Sequence, residues 1–266
     1  MKRLLSILAF ITIFSSLAFA SGYQINEHGA RAMSMGGAFT GLADDASAIH
    51  FNPAGITQLK GTQMTAGMTF IVPFVDFQGV YPDNQESSMK SQYFTPFNVF
   101  VSHQINEQFY VGLGVNNPYG MGTSWDEDWV GRFLAIDTEV ATFFFTPVLA
   151  YKFNDRLSVS AGPRIAYGKV NLKKGIDLTD FSVNNVPAEG QIDMEGDAMS
   201  YGFTAGLLFQ ATNKLSFGLS FRSENKFEFE GEGDKNVPVQ FESLVPGGDM
   251  EAPFYTPYNL TVGAAY

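Results

Sequence analysis

Residues 21–60 read SGYQINEHGARAMSMGGAFTGLADDASAIHFNPAGITQLK. Small residues punctuate the stretch: Gly36, Gly37, Ala38, Gly41, Ala43, Ala46, Ala48, Ala54 and Gly55 let a backbone pack closely against itself or inside another structure. Large apolar anchors are few, so it makes a weak core of its own. Everything after it is repetitive strand. These residues are therefore expected to form a plug, with the later strands as its wall.

On the N-terminal side, Met1-Lys2-Arg3 is basic, residues 4–17 are apolar apart from a few Ser and Thr, and Ala18-Phe19-Ala20 supplies an A-x-A cleavage site. Residues 1–20 are thus a secretory signal, too short in apolar length to be a spanning helix. No later stretch is apolar for that length, so any later crossing must use strands. The chain holds 27 acidic against 16 basic residues, net −11, and loses two more positive charges with the signal. Such a balance argues against nucleic acid, whose phosphates demand clustered Lys and Arg. With no cysteine, disulfides and thiolate metal sites are excluded. Aromatic content of 15%, with 26 Phe against 2 Trp and only 16% charged residues, fits lipid-facing strands.

On the C-terminal side the dominant period is two, which sends successive side chains to opposite faces of a sheet. Met64, Ala66, Met68, Phe70, Val72 and Phe74 oppose Gln63, Thr65, Gly67 and Thr69; Leu157, Val159, Ala161, Ile165 and Tyr167 oppose Ser158, Ser160, Gly162, Arg164 and Gly168. Likewise Leu215, Phe217, Leu219 and Phe221 oppose Ser216, Gly218, Ser220 and Arg222. One face is nearly free of charge and the other is small and polar, as for a strand between lipid and a wetted lumen. Eight strands are expected, at 62–77, 97–104, 109–116, 137–153, 156–173, 198–211, 214–230 and 255–266. Short turns near 104–108, 154–156 and 212–214 alternate with long loops at 80–96, 117–134, 174–197 and 231–253, the asymmetry of bacterial outer-membrane barrels. The fold class is all-β, a transmembrane antiparallel β-barrel, with a signal at 1–20, a plug at 21–60 and the barrel portion at 61–266.

The order of an N-terminal signal, then GARAMSMGGAF, then ADDASAIHFNPAGI with Asn52-Pro53-Ala54, resembles the outer-membrane long-chain fatty-acid and hydrocarbon transporter family (FadL/TodX). The match is specific over residues 22–61 and diffuse afterwards. The resemblance implies a hatch inside a fourteen-stranded barrel, with Asn52, Pro53 and Ala54 at its heart. It also implies passive uptake of fatty acids or aromatic hydrocarbons, entry at an aromatic outer loop, and lateral exit where the third strand kinks; Gly112, Gly114 and the Asn116-Asn117-Pro118 break are candidate kinks. Eight strands enclose room only for their own side chains or one small ligand, so a plug of about 40 residues does not fit. A chain lacking further strands reconciles the two, with two raw sheet edges that hydrocarbon does not tolerate. The alternative is a complete small barrel, with Tyr266 as the terminal aromatic of an assembly signal and residues 21–60 outside it.

Catalysis finds little support. Ser34 lacks the first Gly of a G-x-S-x-G elbow, and His28, His50 and His103 show no H-x-x-x-H spacing, so neither a catalytic residue, a metal nor a cofactor is expected. Asp44-Asp45 reads best as a helix or turn cap. In the loop 117–134, Trp125, Trp129 and Phe133 would share one face of a short helix, either packed on the barrel rim or forming a greasy capture groove. A fatty-acid carboxylate in the lumen calls for a cation. Arg164 and Arg222 lie on the polar face by parity, whereas Lys169 lies on the apolar one unless a bulge shifts it. The resemblance places the family's basic lumen residue on the fifth strand, hence Arg164 or Lys169; pairing with a plug Asp explains such a charge equally well. Hydrophobic small molecules, outer-membrane lipid and the barrel assembly machinery are the expected partners, and the bacterial outer membrane the location. A structural or adhesive barrel with acidic loops is the rival reading, and a lipid hydrolase a more distant one.

Overall fold

A computed structural model describes residues 23–80, 84–182, 186–245 and 247–266. The signal at 1–20 lies outside the described residues. No helix among them is long and apolar enough to cross a membrane.

Eleven of the thirteen strands form one antiparallel sheet. Its path runs from β1 (Thr62–Met68) through β4 (Phe97–Gln104), β5 (Phe109–Asn116), β7 (Asp137–Lys152), β8 (Leu157–Asp177) and β9 (Glu189–Thr212) to β10 (Leu215–Arg222) and β13 (Asn259–Ala265). β6 (Gly120–Ser124) extends the lane of β5 along β7, while β11 (Asn225–Asn236) and β12 (Gly248–Thr256) extend those of β10 and β13. A separate hairpin joins β2 (Asp76–Gln78) to β3 (Glu86–Ser88). The sheet is not closed: among the described residues β1 pairs only with β4, and β13 only with β10.

Each stretch read as strand holds strand, but three lanes are broken. The first strand ends at Met68 rather than running to residue 77, because only single contacts continue the ladder, such as Ile71 paired with Phe94. The seventh breaks at Ser223-Glu224, and the break changes the phase of the alternation. Before it, Ser216, Ser220 and Arg222 are buried while Phe217 and Leu219 are exposed; after it, Asn225, Phe227 and Phe229 are buried while Glu228 and Glu230 are exposed. Two residues between the halves shift the alternation, so polar-in becomes apolar-in with acids outside. Ser223 holds the join, its backbone N–H bonding Phe203 O and its Oγ accepting from Phe203 N–H.

Residues 30–58 cover one face of this sheet, with short helices α1 (Ala30–Ser34) and α2 (Ala48–Phe51) and a 3-10 helix at Pro53–Gln58. Ala43, Ala46, Ala48, Ile49 and Ile56 share a buried cluster with Phe100, Tyr110, Val148 and Ala150 of the wall. The covered face carries Ser158, Ser160, Arg164, Ser200, Thr204, Ser216, Ser220 and Arg222, all buried; the opposite face exposes Met64, Met68, Leu149, Tyr201, Phe203, Leu260 and Val262. Burying hydroxyls while exposing large apolar side chains inverts the soluble-protein arrangement and suits an outer face in lipid.

The small residues on the covered face have a steric cause. A Cβ on Gly112 or Gly114 would stand 2.8 or 2.9 Å from Ile49, one on Gly263 2.8 Å from Gly41 N, and one on Gly218 would strike the Thr40 carbonyl. These positions are seats for the N-terminal segment rather than lining for water. Gly112 and Gly114 are accordingly not the kink in the third strand, since β5 runs unbroken through both.

Candidate functional site: a gap in the wall beside a buried arginine pair

The third lane breaks at residues 117–119, between β5 and β6, where Pro118 lacks an N–H for any ladder. A wall in hydrocarbon must satisfy every backbone group it leaves open. Asn117 does so sideways: its Oδ1 accepts from Phe97 N–H at 3.0 Å on one neighbour and its Nδ2 donates to Thr142 O at 2.7 Å on the other. Thr142 Oγ1 then donates to Tyr119 O at 2.6 Å. The rest is supplied from the N-terminal segment, where Ile25 N–H bonds Pro118 O at 2.9 Å, Gly120 N–H bonds Tyr23 O at 3.0 Å, and Gln24 faces Tyr119 as an antiparallel bridge. Residues 23–25 thus patch the break.

At this patch lies a cavity of about 510 Å³, lined chiefly by Ile25, Ile71, Phe94, Pro96, Tyr119 and Val140. Its lining also takes in Phe97, Ala141 and Phe143 from alternate positions of β4 and β7, so it reaches both faces of the sheet. Glu139 is its one carboxylate.

Deeper, Pro118, Asn116, Phe144, Arg164, Thr204, Arg222, Ile49 and His50 meet around a small polar void. Arg164 and Arg222 are 3% and 9% exposed. Arg164 Nη1 donates to Ser223 O and Asn225 Oδ1, each at 3.1 Å, and its guanidinium lies 4.5 Å from the centre of the Phe144 ring. Arg222 Nη1 donates to His50 Nε2 at 3.0 Å. Among the described residues neither forms a salt bridge with a carboxylate. The N-terminal acids are used elsewhere: Asp44 takes a bidentate bond from Arg31, and Asp45 accepts from Ser47 N–H and Oγ–H, the turn-capping role its sequence position implies.

His28 and His50, remote in sequence, come together with ring centroids 4.4 Å apart. Burial, reinforced by the Arg222 charge, pushes His28 down to about 3 and His50 well below the ordinary imidazole range. Both rings are neutral at pH 7. Because Arg222 only donates, His50 Nε2 carries the free lone pair and Nδ1 the proton; Asn116 Nδ2 stands 3.1 Å from Nδ1, and an Nδ1–H···O bond there requires the Asn116 amide turned end for end.

Asn52 joins the N-terminal segment to the wall. Fully buried, it donates from Nδ2 to Thr40 O at 2.9 Å and Leu207 O at 3.0 Å, and accepts from Ala54 N–H at 3.3 Å as the cap of the 3-10 helix. Pro53 starts that helix, where its missing N–H costs nothing, and Ala54 is wholly buried where Gly206 leaves room. Thr57 adds a second tie, Oγ1 to Ser158 Oγ at 2.8 Å.

The outer loop departs from the helix expected of it. Residues 125–136 form turns, and Trp125 and Trp129 stack on each other at 4.3 Å and 12° instead of presenting a shared face with Phe133. Trp129 Nε1 donates to Ala135 O, Phe77 meets its ring edge-on, and Phe133 lies against Gly175 beneath Arg132. None of the three lines the cavity. Lys169 is exposed on the outward face opposite Asp197, whereas Arg164 and Arg222 are buried on the covered face; no bulge displaces Lys169, and parity alone decides its side. Tyr119 is not singled out by the sequence, and His28 and His50 are weighed there only as metal ligands and set aside, because their spacing carries no signal of their meeting.

Comparison with known proteins agrees with this architecture. The chain is 26% identical over 269 residues to the long-chain fatty acid transport protein of Salmonella typhi, covering 92% of this chain and 61% of that protein. Over 263 residues it is 26% identical to its counterpart of Escherichia coli K12, covering 88% and 58%. It therefore spans about three fifths of the length of these relatives. Among solved structures, a Pseudomonas aeruginosa FadL homologue superposes with a TM-score of 0.75 at 20% identity, covering 92% of this chain and 66% of that one. The Ralstonia pickettii toluene transporter TbuX superposes with 0.68 at 17%, covering 88% and 66%. Residues 11–252 match the model for the outer membrane protein transport protein family (OMPP1/FadL/TodX), and the chain, an outer-membrane protein of β-structure, belongs to that family.

Proposed function

We propose that this chain forms the plug and part of the wall of a passive outer-membrane channel for hydrophobic molecules, either long-chain fatty acids or aromatic hydrocarbons. Residues 21–60 act as the plug and residues 61–266 as wall, with the exposed apolar face in outer-membrane lipid and insertion aided by the barrel assembly machinery. The Trp125–Trp129 stack makes the first outer contact. A ligand then lodges with any anionic head at Arg164, at the bottom of the aromatic cluster of Tyr119, Phe144, Phe227 and Phe229. It leaves sideways through the gap at residues 117–119 into the bilayer. Lateral exit is favoured by about 0.8 kcal/mol for each CH₂ kept from water.

The observation that carries this reading is the apolar cavity of about 510 Å³ at the break in the third lane, one residue along the chain from the void that holds two buried guanidiniums, which form no salt bridge among the described residues. An adhesive barrel has no use for either feature.

The Gln24–Tyr119 bridge supplies the test. It is a non-hydrogen-bonded antiparallel pair, the kind whose side chains approach most closely. The cysteine-free background allows Gln24→Cys with Tyr119→Cys to be oxidised selectively. Locking the patch should abolish uptake of a labelled fatty acid or aromatic dye into cells, and a reductant should restore it. Equal uptake in the locked and reduced forms would count against exit through this gap.

A further inference from the structure

The Arg222–His50 bond is an unusual partnership. A permanently charged guanidinium, nine-tenths buried in the wall, has as its only side-chain acceptor among the described residues a neutral imidazole on the segment that covers it. A carboxylate offers a guanidinium two acceptor oxygens and an opposite charge in a low-dielectric site, neither of which a neutral imidazole supplies. Any anionic group reaching the void beside Arg164 and Arg222 therefore competes favourably for Arg222. Among the described residues His50 has no alternative donor there: the Asn116 amide faces its other nitrogen, and neither the Arg164 guanidinium nor the neutral His28 ring hydrogen-bonds to it.

His50 is also two residues from the principal seat. It lies in the single turn of α2, Asn52 N–H bonds Ala48 O of the same turn at 2.8 Å, and the Asn52 side chain grips Leu207 of the wall and Thr40 of the plug. A displacement of the imidazole pulls on one short, rigid turn whose far end is that grip.

Resting on the channel reading above, we infer that His50 is a latch. It occupies Arg222 while the channel is empty, and an anionic head group takes Arg222 from it, freeing α2 and with it the Asn52 seat. Plug release is thereby coupled to the charge of the cargo, and a neutral hydrocarbon of equal length occupies the cavity without releasing the plug.

The test uses the full chain in detergent, with dodecanoate and dodecanol as probes. Binding is measured directly, and hydrogen exchange is followed for the plug peptide 46–59 and, as a folding control, for β8 and β9. Dodecanoate should accelerate exchange in residues 46–59 at least tenfold and dodecanol should not. His50→Phe, with His50→Ala as a second variant, should exchange fast without ligand and respond no further, while His50→Gln, which keeps an acceptor, should respond like the wild type. Wild-type binding of dodecanoate without faster exchange, or an unaltered response in both His50→Phe and His50→Ala, overturns the latch and leaves the channel intact. Failure of the wild type to bind either probe instead removes the channel reading beneath it.

Discussion

Asn52→Asp leaves the heavy-atom count and almost all of the shape unchanged, yet it replaces the Nδ2 donor by an oxygen. Two carbonyls, Thr40 O and Leu207 O, lie 2.9 and 3.0 Å from that nitrogen in a fully buried site. Each lost bond costs about 1 kcal/mol net, and each buried acceptor left unmatched raises the penalty toward its desolvation cost of roughly 1–3 kcal/mol. Two such acceptors facing a carboxylate give about 3 kcal/mol against the seated plug, or a ~150-fold rise in its local opening. Hydrogen exchange of residues 48–59 should therefore accelerate by about two decades, while the β8–β9 ladder stays as protected as before. The Ala54 N–H bond to Oδ1 survives, so the 3-10 helix itself is retained. Exchange within threefold of wild type across residues 48–59 would show that Asn52 does not seat the plug.

Gly218→Val places a branched side chain against the Thr40 carbonyl and Asn52; plug amides should lose protection while β10 keeps its pairing, read by the same exchange experiment. Acid should act on the plug through His28 and His50: their seated-state affinities for protons lie below the ordinary value near 6.5, so stability is fully present above that pH and lost as pH falls beneath it. The loss is about 1.4 kcal/mol per pH unit for each ring, down to about pH 3 for His28, and should appear as plug exchange rising steadily below pH 6.5. Trp129→Ala removes the stack on Trp125, worth about 1 kcal/mol beyond its burial, so residues 125–136 should become several-fold more accessible to protease with the thermal midpoint of the sheet unchanged.

Much of the wall was legible in the sequence because its alternation is local. An exposed apolar face and a face covered by the N-terminal segment give a period of two along Leu157–Arg164 and Leu215–Arg222, and the shared parity of the buried Arg164 and Arg222 follows from it. The family resemblance over residues 22–61 pointed to Asn52 as well. Parity also placed Lys169 outside, where the structure has it. The helix expected of Trp125, Trp129 and Phe133 failed because spacing of four is equally compatible with a run of turns closed by one stacked pair.

What tertiary structure decided is everything that depends on two distant segments meeting. That Gly112 and Gly114 house Ile49 instead of kinking a strand, and that Gly218 makes way for Thr40, requires knowing which backbone presses on them. The partner of Arg222 lies 172 residues away in a short helix with no ligand-like spacing, and the gap at residues 117–119 is closed by residues 23–25 from the far end of the chain. Periodicity records the surroundings each face meets; it holds no record of which buried donor finds which acceptor, because that choice is made only when the sheet and the N-terminal segment fold together.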